Sequence, residues 1–98
     1  MDKRLLLSLA ALLCLMGAAA ALKCTTCSIV ASNGHCQMGQ GTCVAGPGES
    51  CLKYRVYLGD TLQFGGMSCE KNCKAKKYMK LGKKYIYTCC SNKDHCNK

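Results

Sequence analysis

The chain has 98 residues, eleven of them cysteine, and a formal net charge of +9 at neutral pH. This length leaves room for one domain at most, and a hydrophobic core of that size rarely contributes more than about 3–5 kcal/mol to folding. A multidomain architecture and a fold held by a large apolar core are therefore excluded.

The first residues have the pattern of a secretory signal peptide. A basic start at residues 1–4 precedes an apolar run at residues 5–16, and small residues follow up to Ala21 in an Ala-x-Ala ending. A membrane anchor is the alternative, but the run is shorter than the ~20 residues that span a bilayer. We predict that residues 1–21 are removed and that residues 22–98 form the mature, secreted domain.

Removal of the signal peptide turns an odd cysteine count into an even one. Cys14 leaves with it, so ten cysteines remain, a density typical of disulfide scaffolds in an oxidising compartment. Zinc is the alternative, because Cys24 and Cys27 have metal-ligand spacing. No second Cys-x-x-Cys or paired His would complete such a site, so we predict disulfides and no metal. Each bridge that closes a loop of about 15 residues adds about 3 kcal/mol.

The mature domain is strongly basic. Lys3, Arg4 and Asp2 leave with the signal peptide, which leaves twelve basic and four acidic residues and a net charge of +8. A field of this sign attracts anionic lipid, glycosaminoglycan, nucleic acid or the acidic face of a receptor. Secretion argues against nucleic acid as the partner.

Before residue 50 the sequence predicts short strands separated by turns. Asn33-Gly34 is a two-residue turn signal inside a loop or hairpin at residues 28–40. A Gly-Pro-Gly turn at residues 46–48 ends a short strand candidate at residues 42–45.

The clearest strand candidate covers residues 51–58, where apolar residues alternate with polar ones in the period of a half-buried strand. The Gly-Asp pair at 59–60 suits a tight hairpin turn. Residues 61–64 are expected to return as the partner strand, until the Gly-Gly pair at 65–66 loosens it. The face predicted to be buried carries Leu52, Tyr54, Val56 and Leu58.

A basic segment at residues 74–84 precedes the last strand candidate at residues 85–89. Six of its eleven residues are lysine and none is acidic. With Tyr78 and Met79 among them, the segment predicts an adhesive, mobile tip for anionic membrane, sulfated glycan or an acidic receptor pocket. The alternative is a loop that charge keeps soluble. The candidate binding residues are Lys74, Lys76, Lys77, Tyr78, Lys80, Lys83 and Lys84.

Two adjacent cysteines, Cys89 and Cys90, organise the end of the chain. They do not easily bond to each other, because the small ring would strain the peptide between them. Cys96 is close enough to close a small loop with Cys90, and the partner of Cys89 must lie upstream. Spacing alone does not determine the other pairs.

The two ends of the mature chain resemble the Ly-6/uPAR family, which has the three-finger fold of snake neurotoxins. Leu-x-Cys-x-x-Cys begins at Leu22, and Cys-Cys…Asp-x-Cys-Asn ends at Asn97. The resemblance implies a small all-β, disulfide-rich domain with fingers at residues 24–43, 51–69 and 73–89 that leave a disulfide hub. It implies that the Asn97 side chain ties the C-terminus to this hub. The five disulfides it implies are Cys24–Cys51, Cys27–Cys36, Cys43–Cys69, Cys73–Cys89 and Cys90–Cys96.

Residues 38–45, 48–51 and 59–63 resemble the prostate-and-testis-expressed (PATE) subfamily. This resemblance implies a secreted protein of the male reproductive tract that binds sperm or epithelial cell surfaces. It would modulate a membrane receptor of the nicotinic acetylcholine type or sperm activity. One alternative is a charge-driven binder of anionic membrane or glycan, with a coating, decapacitation-type or antimicrobial role. The other is a homo-oligomeric coat protein whose finger edges pair.

The remaining candidates are single residues. Arg55, near the second hairpin, could enter an aromatic-lined acetylcholine site by a cation–π contact, but an ordinary strand role is favoured. His35 and His95 are predicted as surface loop residues. No nucleophile motif is present, so neither an enzyme nor a cofactor is predicted. Only Asn97 and Lys98 follow the last cysteine, so no lipid anchor is expected.

Overall fold

Seven β-strands make up the computed structural model, which describes residues 21–98. The predicted signal peptide, apart from Ala21, lies outside these residues, so its cleavage stays a prediction. Within residues 21–98, no helix has the length and apolarity to cross a membrane. The strands are β1 (Leu22–Val30), β2 (Cys36–Met38), β3 (Gly41–Ala45), β4 (Glu49–Leu58), β5 (Thr61–Lys71), β6 (Lys76–Lys80) and β7 (Lys83–Cys90).

The strands pair antiparallel into one sheet in the order β2-β1-β5-β4-β7-β6, and β3 pairs with the first half of β1. Strands β1 to β3 form the first finger, β4 and β5 the second, and β6 and β7 the third. The long β4 pairs with β5 on one side and with β7 on the other, and so joins the second and third fingers. The predicted small all-β, three-finger fold is confirmed.

Five disulfides hold the fingers together, and they are the pairs that the family resemblance implies. Three of the six buried apolar side chains found in residues 21–98 are cysteines (Cys24, Cys27 and Cys51). The bridges therefore take the place of a larger core. The disulfides are Cys24–Cys51, Cys27–Cys36, Cys43–Cys69, Cys73–Cys89 and Cys90–Cys96.

Asn97 is the most heavily bonded side chain of the hub, and it is 2% exposed. Its Oδ1 accepts a hydrogen bond from the Thr25 backbone N–H at 2.9 Å. Its Nδ2 donates to the backbone oxygens of Thr25, at 2.8 Å, and Leu52, at 2.9 Å. One side chain thus connects the C-terminus to β1 and β4.

The prediction that His95 is a surface loop residue holds in part, because it lies in a turn but is part-buried in the hub. Its backbone N–H donates to the Lys23 oxygen at 2.8 Å, and its Nδ1 lies 2.9 Å from Thr25 Oγ1. The neighbouring Asp94 accepts a hydrogen bond from the Lys23 N–H at 3.0 Å. His35, by contrast, is exposed in the first finger, as predicted.

The prediction that Gly65 and Gly66 loosen the return strand is wrong, because β5 continues through both glycines to Lys71. Both are buried, and atoms of β4 occupy the space beside them. A Cβ on Gly66 would lie 2.5 Å from Tyr54 Cε1, and one on Gly65 would clash with the Tyr54 backbone oxygen and lie 2.8 Å from Arg55 Nη1. The glycines therefore make room for their cross-strand partners.

Two other predictions hold only in part. Along β4, Leu52 and Val56 are buried, but Tyr54 is half-buried and Leu58 is 51% exposed, because Leu58 lies at the tip of the finger. The first finger does turn near Asn33-Gly34, but its loop spans residues 31–35 rather than two residues.

Candidate functional site

The third finger forms one outer edge of the sheet. Strand β6 pairs with β7 alone within residues 21–98, and all five of its residues are exposed. The prediction of a loop is wrong for most of the basic segment, because residues 76–80 form β6 and residues 83–84 begin β7. The turn between the two strands contains two residues, Leu81 and Gly82.

Stacked tyrosines on one face of the sheet hold this exposed strand in place. Tyr78 lies opposite Tyr85 across the β6–β7 pair, and Tyr87 lies opposite Tyr54 across the β7–β4 pair. The ring centroids are 4.9 Å apart for Tyr78 and Tyr85, 6.2 Å for Tyr78 and Tyr87, and 5.6 Å for Tyr87 and Tyr54. Aromatic cross-strand pairs of this kind stabilise a sheet, and here they attach the third finger to the second.

The hydroxyl groups of Tyr78 and Tyr87 also influence each other. Hydrogen bonding to the Tyr78 hydroxyl raises the pKa of Tyr87 above its usual value, and burial and the neighbouring phenols add to the rise. Tyr87 is therefore held in its neutral form to a higher pH than a free tyrosine.

Lysines surround the third finger on both faces, because successive residues of a strand point in opposite directions. Lys76 and Lys80 share the tyrosine face, and Lys76 Nζ lies 4.6 Å from the centroid of the Tyr87 ring. Lys77 and Lys84 lie on the other face, where Lys84 Nζ is 5.4 Å from the Tyr57 ring. The finger thus presents positive charge in every direction.

The tip of the finger carries an unfavourable charge pair. Lys80 and Lys83 lie directly opposite each other across the β6–β7 pair, and no acidic residue occurs between residues 74 and 84. Like charges in directly opposed positions destabilise a sheet. An anionic partner bound here would remove this repulsion.

At the base of the third finger, an acidic residue lines the same cavity as two of the lysines. A cavity of about 290 Å³ opens between the second and third fingers, and Glu70 lines it together with Lys74 and Lys76. The base lysines therefore share a cavity with an acidic side chain, whereas the segment around the tip contains none. The other lining residues are Leu52, Asn72, Cys73 and Tyr87.

Arg55 does not reach the tip of the second finger. It lies three residues before the exposed Leu58, and its Nη1 donates a hydrogen bond to the Tyr54 backbone oxygen at 3.1 Å. Burial lowers the pKa of its guanidinium. This position is that of a strand residue, and it separates Arg55 from the charged tip of the third finger.

Of the exposed apolar residues at the fingertips, Met79 was predicted to lie at the adhesive tip and Leu58 on a buried face, but no sequence pattern pointed to Leu81. Leu81 is 91% exposed, Met79 65% and Leu58 51%. The available signal was a Leu-Gly pair between Lys80 and a pair of lysines at 83–84, at a position where a two-residue turn normally has Asn or Asp before Gly. Leu81 and Gly82 both have positive φ, 52° and 77°.

The sulfur atoms that lie close enough together to hold a metal are all oxidised. In residues 21–98 these groups are Cys24, Cys43 and Cys69, and Cys51, Cys90 and Cys96. Every one of them belongs to a disulfide, and metals bind the thiolate form of cysteine. Cys24 and Cys27, which have metal-ligand spacing, are bridged to different partners.

Comparison with known proteins gives one domain family and several relatives. The u-PAR/Ly-6 domain matches residues 20–98. Prostate and testis expressed protein 3 of Homo sapiens is 37% identical over 86 residues, covering 88% of this chain and 87% of the relative. Protein PIP-1 of Sus scrofa is 33% identical over 84 residues, covering 86% and 83%. Acrosomal protein SP-10 of Papio hamadryas is 32% identical over 77 residues, covering 79% of this chain and 27% of that protein. No solved structure matches the chain.

Proposed function

The chain belongs to the u-PAR/Ly-6 domain family, and from that premise we propose that it is a secreted, non-enzymatic binding protein of the male reproductive tract. The names of its relatives support the tissue, since they refer to prostate, testis and the acrosome. The predicted signal peptide at residues 1–21 and the dense disulfides support secretion.

The third finger attaches this protein to the surface of sperm or epithelial cells by binding anionic membrane or glycan. The observation that carries this proposal is the directly opposed pair Lys80 and Lys83 at an exposed tip without acidic neighbours in its segment. Such a pair costs stability in the free protein. The cost is offset when anionic groups bind, which makes the tip a site that favours an acidic partner.

Modulation of a membrane receptor of the nicotinic acetylcholine type is the second function that we propose. The register favours it, because Leu58 of the second finger lies opposite Lys83 of the third, which puts the two tips side by side. A receptor site lined by aromatic residues takes a cation. We infer that Lys80 or Lys83 supplies this cation, since Arg55 is bound to the backbone away from the tip.

Charge reversal at the tip tests the cell-surface proposal. We expect the triple variant Lys77→Glu, Lys80→Glu and Lys83→Glu to lose most of its salt-sensitive binding to sperm. The matched control reverses three exposed lysines elsewhere, Lys71, Lys93 and Lys98, and changes the net charge equally. Binding of the labelled, oxidatively folded proteins is measured across a salt series, before and after proteolysis of the cell surface.

Three outcomes separate the proposals. Loss in the tip variant alone, with binding that falls as salt rises and ignores proteolysis, supports attachment to lipid or glycan. Saturable binding that survives salt but disappears on proteolysis supports a protein receptor. Equal losses in both variants contradict a site on the third finger, because net charge alone would then explain binding.

A further inference from the structure

Leu81 combines two unfavourable features at the turn of the third finger. It is 91% exposed, the highest value among the exposed large apolar side chains of residues 21–98. Its φ of 52° lies in the left-handed region, which a bulky residue rarely adopts. A two-residue turn with positive φ at both positions favours Asn-Gly or Asp-Gly instead. Folding therefore explains neither the exposure nor the choice of leucine at this position.

Two further exposed apolar side chains lie near Leu81, on opposite faces of the sheet, and lysines lie behind them. Met79 is 65% exposed on β6, and Leu58 is 51% exposed at the neighbouring tip. Behind the turn the lysines point to both faces, with Lys80 and Lys83 on one face and Lys77 and Lys84 on the other. Lysine side chains can lay their aliphatic part along apolar surface and keep the ammonium group at a polar boundary.

We propose that the tip of the third finger inserts into the outer leaflet of an anionic lipid bilayer, with Leu81 and Met79 in the acyl region and the lysines among the headgroups. This inference rests on the proposed binding of the third finger to anionic cell surfaces, and it names lipid as the partner. A bilayer fits better than a protein pocket because the lysines face outward on both sides of the hairpin. A headgroup layer surrounds an inserted tip with negative charge on every side.

The second finger limits the depth of insertion. Its turn contains the exposed Asp60, two residues after Leu58, and a carboxylate is costly to move into hydrocarbon. The second finger therefore stays at the level of the headgroups, and the third finger alone enters the acyl region.

Leu81→Asn is the first test, because it separates folding from binding. Asn-Gly is the preferred sequence for this turn, so the variant is expected to unfold at a higher denaturant concentration than the wild type. Burial of a leucine side chain is worth roughly 1.5–3 kcal/mol, so the variant is expected to bind phosphatidylcholine–phosphatidylserine vesicles at least about tenfold more weakly. The loss should appear mainly in the binding that persists at high salt.

Leu81→Trp measures insertion directly, since the chain contains no tryptophan. On the same vesicles, its emission is expected to shift to the blue and to be quenched by lipids with brominated acyl chains. The matched control is Val44→Trp, at a 61% exposed apolar position on the first finger. The control residue is expected to stay in water and to escape quenching.

The outcomes distinguish this inference from the function on which it rests. Salt-sensitive vesicle binding that is equal for wild type and Leu81→Asn, with no quenching at position 81, overturns insertion and leaves charge-driven attachment intact. Protease-sensitive binding to cells without vesicle binding overturns insertion in favour of a protein receptor. If the protein binds neither cells nor vesicles at low salt, the inference and the proposed attachment of the third finger both fail.

Discussion

Asn97 makes three hydrogen bonds from one buried side chain to strands that are distant in sequence. We expect Asn97→Ala to lower the free energy of unfolding by at least about 2 kcal/mol, because buried backbone groups on Thr25 and Leu52 lose their partners. Urea unfolding of the disulfide-intact protein measures this change. The control is Asn92→Ala, at an exposed position, which should have little effect. Equal midpoints for the two variants would contradict the role of Asn97 as the tie of the hub.

Single residues also mark the limit of what the sequence can predict. The motif around Asn97 indicates its role through the resemblance of the chain's end to the Ly-6/uPAR family. Nothing local indicates that Gly66 belongs inside a strand, since the reason is the Tyr54 ring beside it on another strand. The turn at Leu81 could not be predicted for a different reason, which is that leucine is an unusual residue at a position with positive φ.

At the scale of strands, alternation of apolar and polar residues was enough to predict β4, and β-branched and aromatic residues were enough to predict most of β7. Neither pattern predicted β6, because this strand is rich in lysine, which is uncommon in strands. That strand is held by the pairing of Tyr78 with Tyr85, which is a contact between segments. The candidate site was therefore predicted in its residues and charge but not in its geometry.

The tyrosine stack gives the third finger a dependence on alkaline pH. The folded-state pKa of Tyr87 is raised, so its contribution to stability is complete below the unfolded value of about 10 and is lost as pH rises through the folded value. We expect Tyr87→Phe to have a weaker dependence of melting temperature on pH in this range than the wild type. Melting is followed by circular dichroism across an alkaline pH series.

Tyr57→Phe is the matched control for that experiment, because Tyr57 lies on the opposite face of β4 from the stack. The lysines are the same in all three proteins, so the comparison isolates the two tyrosines. If both phenylalanine variants changed the pH dependence equally, the tyrosine stack would not be its source.

At the scale of the whole molecule, the disulfides decide whether the chain folds. The Cys24–Cys51 bridge joins residues 27 apart in sequence, and closing a loop of this length is worth about 3–4 kcal/mol in the chain-entropy model. We expect the reduced protein to be unfolded at body temperature, because few apolar side chains are buried. Far-ultraviolet circular dichroism before and after reduction measures this. A reduced sample that keeps its β-sheet signal would contradict the prediction.

Only part of the disulfide pairing could be predicted from the cysteine positions themselves. Chemistry alone requires that Cys89 and Cys90 have different partners, and proximity suggests Cys96 for one of them. The other pairs join fingers that are distant in sequence, so only the family resemblance indicated them before the structure was known. The order of the strands in the sheet was equally out of reach, because it depends on which hairpins lie side by side.

The exposed outer edge of β6 affects whether copies of this protein can pair with one another. An unpaired sheet edge is a template on which a second copy can add its own edge, and repetition of this step produces fibres. Strands that pair in this way lie about 5 Å apart, which would bring two rows of lysines into contact. The positive charge of the third finger therefore also opposes the pairing of β6 edges from two copies. A coat built from many copies would have to assemble through another surface.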